Sequence, residues 1–336
     1  MKQQKTAIVF IHFGETFPEY FLLNINRTSR LFPNRQIYVV TDFGVVDNKL
    51  LKGLGQNVNF LFVQNRQSLR KSALDERLWD GWWQKTIDRL LLFGTIHEMV
   101  SATKVIHVES DVALMPSFPF SWFDDFNLLA WPSHDSTNDI ASLVFSPNVV
   151  LSKKLSHAVD EAMRANPSIT DMQVLLKVRK ELPNEVFTLP QRVNSERLAN
   201  PPGIFDGLDF GNWITGSDPK ARMGWSRKRI PPNNNDVSLF KQSQFVLEDN
   251  QLFILKGYLK EPINNLHVHS KEHRFFRLVS HGDPIVISIP LGTLHCSAFL
   301  EWFKTRVKIY ASSIFSRVAW ERLLGRLATI LNKNKN

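Results

Sequence analysis

Cysteine is nearly missing from this 336-residue sequence, where Cys296 stands alone. A single thiol excludes an intrachain disulfide and every zinc motif built on cysteine pairs, and it suits a reducing compartment. Also absent is any run of about 18 to 20 uninterrupted apolar residues, the length that a membrane-spanning helix needs. The opening MKQQKTAIVFIHFGE carries lysines and then an apolar stretch, but His12 interrupts that stretch and no small-residue cleavage site follows. It reads as a first strand, not a signal peptide. Internal repeats and low-complexity tracts are missing as well, so neither a solenoid nor a disordered chain is expected.

What is present describes a globular chain. With 43% apolar and 22% charged residues, there is enough to bury for one large α/β domain or a domain with an appendage. The formal charge of +9 raises the possibility of nucleic acid, membrane or an anionic substrate. Its placement narrows the choice: from Leu294 to Asn336 there are eight basic residues against Glu301 and Glu321. No basic stripe with interleaved aromatics crosses the main body, so no nucleic-acid partner is expected.

Apolar runs alternate with helical patterns through the first half, which argues for a mostly parallel central sheet flanked by helices. Strands are expected at Ala7 to His12, Gln36 to Thr41, Val58 to Val63, Lys104 to Val108, Leu128 to Trp131 and Ser142 to Ser146. A helix should begin near Pro18 and Glu19, and one long helix should run from about Trp79 to about Met99. Further helices are expected over 149–164 and 170–180. The stretch 190–235, rich in Pro, Gly and Asn, reads as a functional loop or lid. A meander follows, through Gln244 to Leu247, Gln251 to Leu259 and Asn264 to His269, with a turn at Glu248-Asp249-Asn250.

Ligands of open α/β sheets bind outside the carboxyl ends of the strands, so polar residues that follow apolar runs there carry the chemistry. Strand ends of this kind are His12-Phe13-Gly14, Thr41-Asp42, Glu109-Ser110-Asp111 and His267-Val268-His269-Ser270-Lys271. Glu109 and Asp111, one residue apart, point to one side if the chain stays extended. Two carboxylates aimed at one place repel unless a cation lies between them, and Mg²⁺ or Mn²⁺ accepts such oxygens. One imidazole from His267 or His269 would complete a mixed shell suited to Mn²⁺, and Lys271 could meet phosphate oxygens. Taken alone, an E-x-D at a strand end is more often a solvated turn. The second polar cluster after a distant strand is what favours a site.

The opening AIVFIHFGETFPEY…IYVVTD, the acidic pair after VIHVES and the late HVHSK resemble GT-A-fold nucleotide-sugar glycosyltransferases. More narrowly, WWQKTIDRLLLF, FDGLDFGNWITGSDP and INNLHVHSK resemble bacterial glycosyltransferase-like proteins of surface-polysaccharide synthesis, over roughly residues 5–275. The resemblance implies a GT-A (Rossmann-like) catalytic domain over 1–275; charge and helical spacing beyond it read as a basic, partly amphipathic helical carboxyl-terminal extension over 276–336. It implies that Glu109 and Asp111 hold Mn²⁺ or Mg²⁺ against a donor diphosphate, with His269 preferred as the nitrogen ligand and His267 the alternative. His12, Gly14 and Asp42 would border the nucleotide, and Lys85 and Arg89 would reach the donor from the long helix. An exposed helix face explains those last two equally well. The chain departs from the pattern in reading Gly211-Asn212-Trp213 where relatives read G-Q-Y, and E-x-D in place of D-x-D.

The implied reaction moves a sugar from a nucleoside diphosphate, UDP favoured, to a saccharide or lipid-linked saccharide. It needs leaving-group stabilisation and a carboxylate on the sugar side. Asp206, in a loop-rich stretch with Gly207 and Gly211, is the first nominee. Asp171 is the second, although a place in the first turn of a helix explains it better. Asp209 and Asp218 are weaker, and Trp82, Trp83, Trp213 and Trp225 could stack on rings or simply pack. Over 302–331 the pattern is a basic amphipathic helix, which either contacts an anionic membrane surface or packs on the domain. The expected location is the cytoplasm, with peripheral contact at the inner membrane face. A sugar nucleotidyltransferase is the nearer rival, but FGETFPEY offers one glycine where that activity wants a phosphate-cradling loop. A metal-free scaffold on the same fold is the other.

Overall fold

The structure is a computed structural model that describes residues 5–14, 16–42, 53–63, 71–74, 81–134, 137–191, 203–215, 244–256, 259–269, 271, 273–276 and 285–287. Apolar runs become the strands β1 (Ala7–His12), β2 (Ile37–Thr41), β3 (Val58–Phe62) and β4 (Val105–Val108). With β6 (Leu129–Pro132), β7 (Leu143–Ser146) and β8 (Val186–Leu189), they form one sheet in the order β3-β2-β1-β4-β7-β6-β8. Pairings β1 with β2, β1 with β4, β2 with β3 and β6 with β8 are parallel, and β7 runs antiparallel to both its neighbours. The expected class, a mostly parallel α/β sheet flanked by helices, is therefore the one observed.

Alternation along β1 sends Ile8 and Phe10 to one face and Val9 and Ile11 to the other, and both faces are covered. On the first face they meet Phe21 and Ile25 of α1 (Glu19–Leu31) and Phe120 and Phe123 of α4 (Phe120–Asp125). On the second they meet Ile87 and Leu90 of α2 (Trp82–Leu91), Phe93 of α3 (Phe93–Met99), and Leu155 and Val159 of α5 (Val149–Ala165). Each such side chain contributes about 1.5–3 kcal/mol by leaving water.

The long helix expected over 79–99 is broken at Leu92 into α2 and α3. In a continuous helix the Gly94 amide would donate to the Leu90 carbonyl. Instead the Ser156 hydroxyl of α5 enters that bond, accepting from Gly94 N at 2.9 Å and donating to Leu90 O at 2.8 Å. A side chain inserted into the i→i−4 ladder is a recognised cause of a bend. Gly94 also admits α5 closely, since a Cβ there would stand 2.8 Å from Lys153 Cα.

A second sheet has the order β13-β10-β11-β12-β5, with β9 on β12. It comprises β5 (Val112–Leu114), β9 (Ile204–Phe205), β10 (Gln244–Glu248), β11 (Gln251–Lys256), β12 (Leu259–His267) and β13 (Ile285–Ile287). The expected meander is β10 to β12, and Asp249 and Asn250 turn it with φ of 49° and 64°, the backbone that a two-residue hairpin demands. The stretch read as irregular, 190–235, holds β9 and α7 (Asp209–Thr215), and α6 (Asp171–Glu181) precedes it. The described residues fall in one unit, built from Met1–Gly216 and Arg229–Ile289. Asp218, Trp225, Cys296 and the basic amphipathic pattern over 302–331 lie outside the described residues. Among the described residues no helix is long and apolar enough to cross a membrane.

Arg35 and Asp124 staple the amino end of the sheet, with Nη1 and Nη2 each 2.7 Å from one carboxylate oxygen. The Thr6 amide and hydroxyl donate to the same carboxylate at 2.7 and 2.8 Å. Burial alone would raise the Asp124 pKa, but the hydrogen bonds from Arg35 and Thr6 bring it below the ordinary value. The stabilisation is thus fully present above the usual carboxylate range and is lost as acid protonates Asp124. Asp124→Asn is expected to cost about 3 kcal/mol by denaturant titration at neutral pH, and the gap to wild type should close in acid.

Candidate active site

The site lies where the two sheets share a chain segment. β4 belongs to the first sheet and β5 to the second, so Glu109-Ser110-Asp111 is the turn between them. Backbone bonds fix it on three sides: Glu109 N to Ser142 O at 3.0 Å, Val112 N to Glu109 O at 3.0 Å, and Val268 N to Asp111 O at 2.8 Å. Asn24 of α1, buried, donates to the carbonyls of Ser110 and Val112 at 3.1 and 2.8 Å. Sequence reasoning missed Asn24. The signal available was a polar residue within the apolar run FLLNI.

β5 pairs antiparallel with β12, which sets His267 opposite Val112 and brings the imidazole to the carboxylates. His267 Nε2 is 3.3 Å from Asp111 Oδ2 and 3.7 Å from Glu109 Oε2. One ligand atom each from Glu109, Asp111 and His267 lies within 4.8 Å of the other two. Neighbouring ligands of a six-coordinate ion at about 2.1 Å sit about 3 Å apart, so modest closure of this triad fits a divalent cation. His267 Nδ1 is 2.7 Å from Gly207 O, a bond in which the ring nitrogen carries the hydrogen. A neutral His267 therefore has its lone pair on Nε2, facing the acids.

His269 does not join the triad. Its ring stacks on that of His267 with centroids 3.8 Å apart, and its buried Nε2 has no hydrogen-bond partner. Burial, and then the neighbouring His267, push its pKa well below the ordinary value. Strand alternation puts both imidazoles on one face, and the nearer to the acids is the one inside β12. The sequence preferred His269, with His267 as the alternative; the geometry brings His267 to the acids.

Cations already face both acids. Arg89 Nη2 is 2.7 Å from Glu109 Oε1, and Lys271 pairs with Asp111 Oδ2. Burial would raise the Glu109 pKa, but Arg89 and then His267 hold it at about 2. Lys271 is lowered to about 8 by burial, with Glu109 opposing and Arg89 adding to the shift. Its φ of 56° is left-handed, and its Nζ stands 5.9 Å over the Tyr20 ring.

The carboxyl ends of β1 and β2 form the adjoining rim. Gly14 N donates to Asp42 Oδ1 at 3.0 Å, and His12 Nε2 lies 3.0 Å from Thr16 O. A Cβ on Gly14 would stand 3.6 Å from His12 Nε2 and 3.7 Å from Lys85 Nζ, so α2 delivers Lys85 to this rim as it delivers Arg89 to Glu109. Burial lowers the His12 pKa. Neither helix residue sits on a solvated face remote from the strand ends.

The two sugar-side nominees part company. Asp171 opens α6, whose cap is Thr170 in a capping box with Gln173, so it is a first-turn residue as expected. It is nevertheless buried, and burial followed by the Glu109 charge raises its pKa to about 6. Asp206 is 0% exposed, with Oδ1 accepting from Phe210 N at 3.1 Å and Oδ2 from His267 N at 2.8 Å. Its carboxylate is thus enclosed by backbone amides of β12 and α7, unlike the open loop setting its sequence suggests. Trp83 is half-buried on α2. The side chains of Trp82, Asp209 and Trp213 lie outside what is described.

No protein-family model matches the chain, and no curated protein matches it. Comparison with solved structures gives partial matches. The glycosyltransferase GlyE of Streptococcus pneumoniae TIGR4 is 13% identical over 55% of this chain and 45% of its own, with a TM-score of 0.37. This chain therefore spans less than half of GlyE. The galactosyltransferase LgtC, solved with donor and acceptor sugar analogues, is 14% identical over 56% of this chain and 75% of its own, with a TM-score of 0.37. The PaToxG glycosyltransferase is 14% identical over 54% and 70%, with a TM-score of 0.35. At TM-scores this low the overlap assigns no activity.

Proposed function

We propose that the chain is a metal-assisted GT-A glycosyltransferase, moving a sugar from a nucleoside diphosphate to a saccharide or lipid-linked saccharide acceptor, with a UDP-sugar the favoured donor. The observation that carries this reading is the convergence of Glu109, Asp111 and His267 Nε2 at the carboxyl edge of a mostly parallel sheet. In such sheets that edge is where ligands are held.

Mn²⁺ or Mg²⁺ would be held by Glu109, Asp111 and His267, and when bound it offsets the charge that develops on a diphosphate leaving group. Lys271 faces the same acids and supplies a second cation for phosphate oxygens. Lys85, His12, Gly14 and Asp42 form the rim beside it, suited to the nucleotide end of the donor. Arg89 orients Glu109 through their ion pair. Asp171, raised to about 6 beside Glu109, has a proton affinity matched to acid–base work near neutrality and is the sugar-side candidate. The basic segment over 276–336 is assigned to contact with an anionic membrane surface, which would keep the protein at the inner face.

The test is a panel of nucleotide sugars titrated by calorimetry with Mn²⁺ and again after chelation. One donor is expected to bind only with the metal, and to be hydrolysed slowly in the absence of acceptor. Tight donor binding that ignores chelation and survives Asp111→Ala would overturn the proposal.

A further inference from the structure

Resting on the metal reading just given, we infer that Asp206 is a positioning residue, and that the turn Asp206-Gly207-Leu208 is a clamp that sets the orientation and tautomer of His267.

β9 is two residues long, and its pairing with β12 ends at Asn265. His267, two residues further on, has no β9 residue to receive its amide. The Asp206 side chain takes that place: Oδ2 accepts from His267 N at 2.8 Å, while Oδ1 accepts from Phe210 N at 3.1 Å in the first turn of α7. Its backbone is tied to the same strand, with Asn265 Nδ2 donating to Asp206 O at 2.7 Å. The next carbonyl, Gly207 O, receives His267 Nδ1 at 2.7 Å, and the one after it, from Leu208, bonds the His269 ring.

Three consecutive residues thus grip the backbone and the ring of His267 and the ring stacked behind it. A side-chain acceptor does what a longer β9 would do, and it leaves the Gly207 carbonyl free of sheet duty to fix the ring. Outer-shell partners of this kind set which ring nitrogen presents its lone pair. The FDGL and HVH stretches, about sixty residues apart in sequence, make one device.

The experiment is Asp206→Asn in the full chain. The amide keeps the volume and one acceptor, but turns an NH₂ toward an amide N–H that had a carboxylate oxygen. Mn²⁺ affinity by calorimetry is expected to fall about 10- to 100-fold, with the fold retained by circular dichroism. An unchanged Mn²⁺ affinity with a lower melting temperature would reduce Asp206 to a structural residue. Unchanged Mn²⁺ and donor affinity with lost transfer would restore it as a catalytic one. Should the variant fail to fold, long-range ¹⁵N–¹H spectra of histidine-labelled wild type decide the matter. The neutral His267 must carry its proton on Nδ1, and the Nε2–H tautomer would overturn the clamp. Wild type that binds no Mn²⁺ would sink the glycosyltransferase reading, while the tautomer would still test the clamp.

Discussion

Asp111→Asn is expected to lower Mn²⁺ affinity by at least about 100-fold, or about 3 kcal/mol, since outer-shell changes alone cost 10- to 100-fold. Asp111 is 7% exposed, and its Oδ2 lies 3.3 Å from His267 Nε2 and pairs with the Lys271 ammonium. Without a metal, Arg89 and Lys271 balance the two acids, so an arriving divalent ion competes with Lys271 for one oxygen. Lys271→Met should therefore shift metal affinity the opposite way, upward, while weakening donor binding. Calorimetry of Mn²⁺ with each variant separates the two signs. Equal affinity in wild type and Asp111→Asn would remove this carboxylate from the metal site.

Gly211→Ala should be still more damaging to the fold. A Cβ on Gly211 would stand 1.9 Å from the His267 carbonyl oxygen and 2.9 Å from Asp206 Oδ2. The first obstacle is backbone and the second a carboxylate already bonded to two amides, so neither can yield by turning a flexible side chain. Overpacking of this severity costs about 3 kcal/mol or more, and relief requires α7 to withdraw from β12. Thermal unfolding should show the loss, and Mn²⁺ affinity should fall with it because His267 shifts. A variant with wild-type melting and metal affinity would mean that α7 does not sit against β12 in solution.

Much of the first sheet was legible because its strands are apolar runs bounded by turns, and the acidic pair was legible because charge directly after a buried strand is out of place. The second sheet was harder to read. β5 and β9 have three and two residues, too short for any periodicity, and it is β5 that joins Asp111 to His267. The choice between His267 and His269 could not follow from alternation, which treats them alike. It follows from where β12 stops and from Gly207, a carbonyl acceptor whose side chain carries no signal. The burial of Asp206 was not legible because Phe205-Asp206-Gly207 has the composition of an exposed turn. Its enclosure depends on β12, about sixty residues away in sequence, together with the helix that starts just after it. The Leu92 break was hidden for the same reason, since the helical period continues unbroken through it.

That break has a temporal meaning. The hydroxyl that interrupts the helix between α2 and α3 comes from Ser156, sixty-two residues beyond the amide it receives. Until α5 docks, the local hydrogen bond from Gly94 to Leu90 has no competitor, and the segment favours a straight helix. Loop closure between distant segments is slower than helix growth, so the interruption is expected to form after the helix itself. Arg89 and Lys85 both lie on α2, just ahead of that interruption. The segment that carries the cations facing Glu109 and the β1 rim is thus ended by a side chain from α5 and not by anything in its own sequence, so the placing of that charge is tied to the packing of the core behind it.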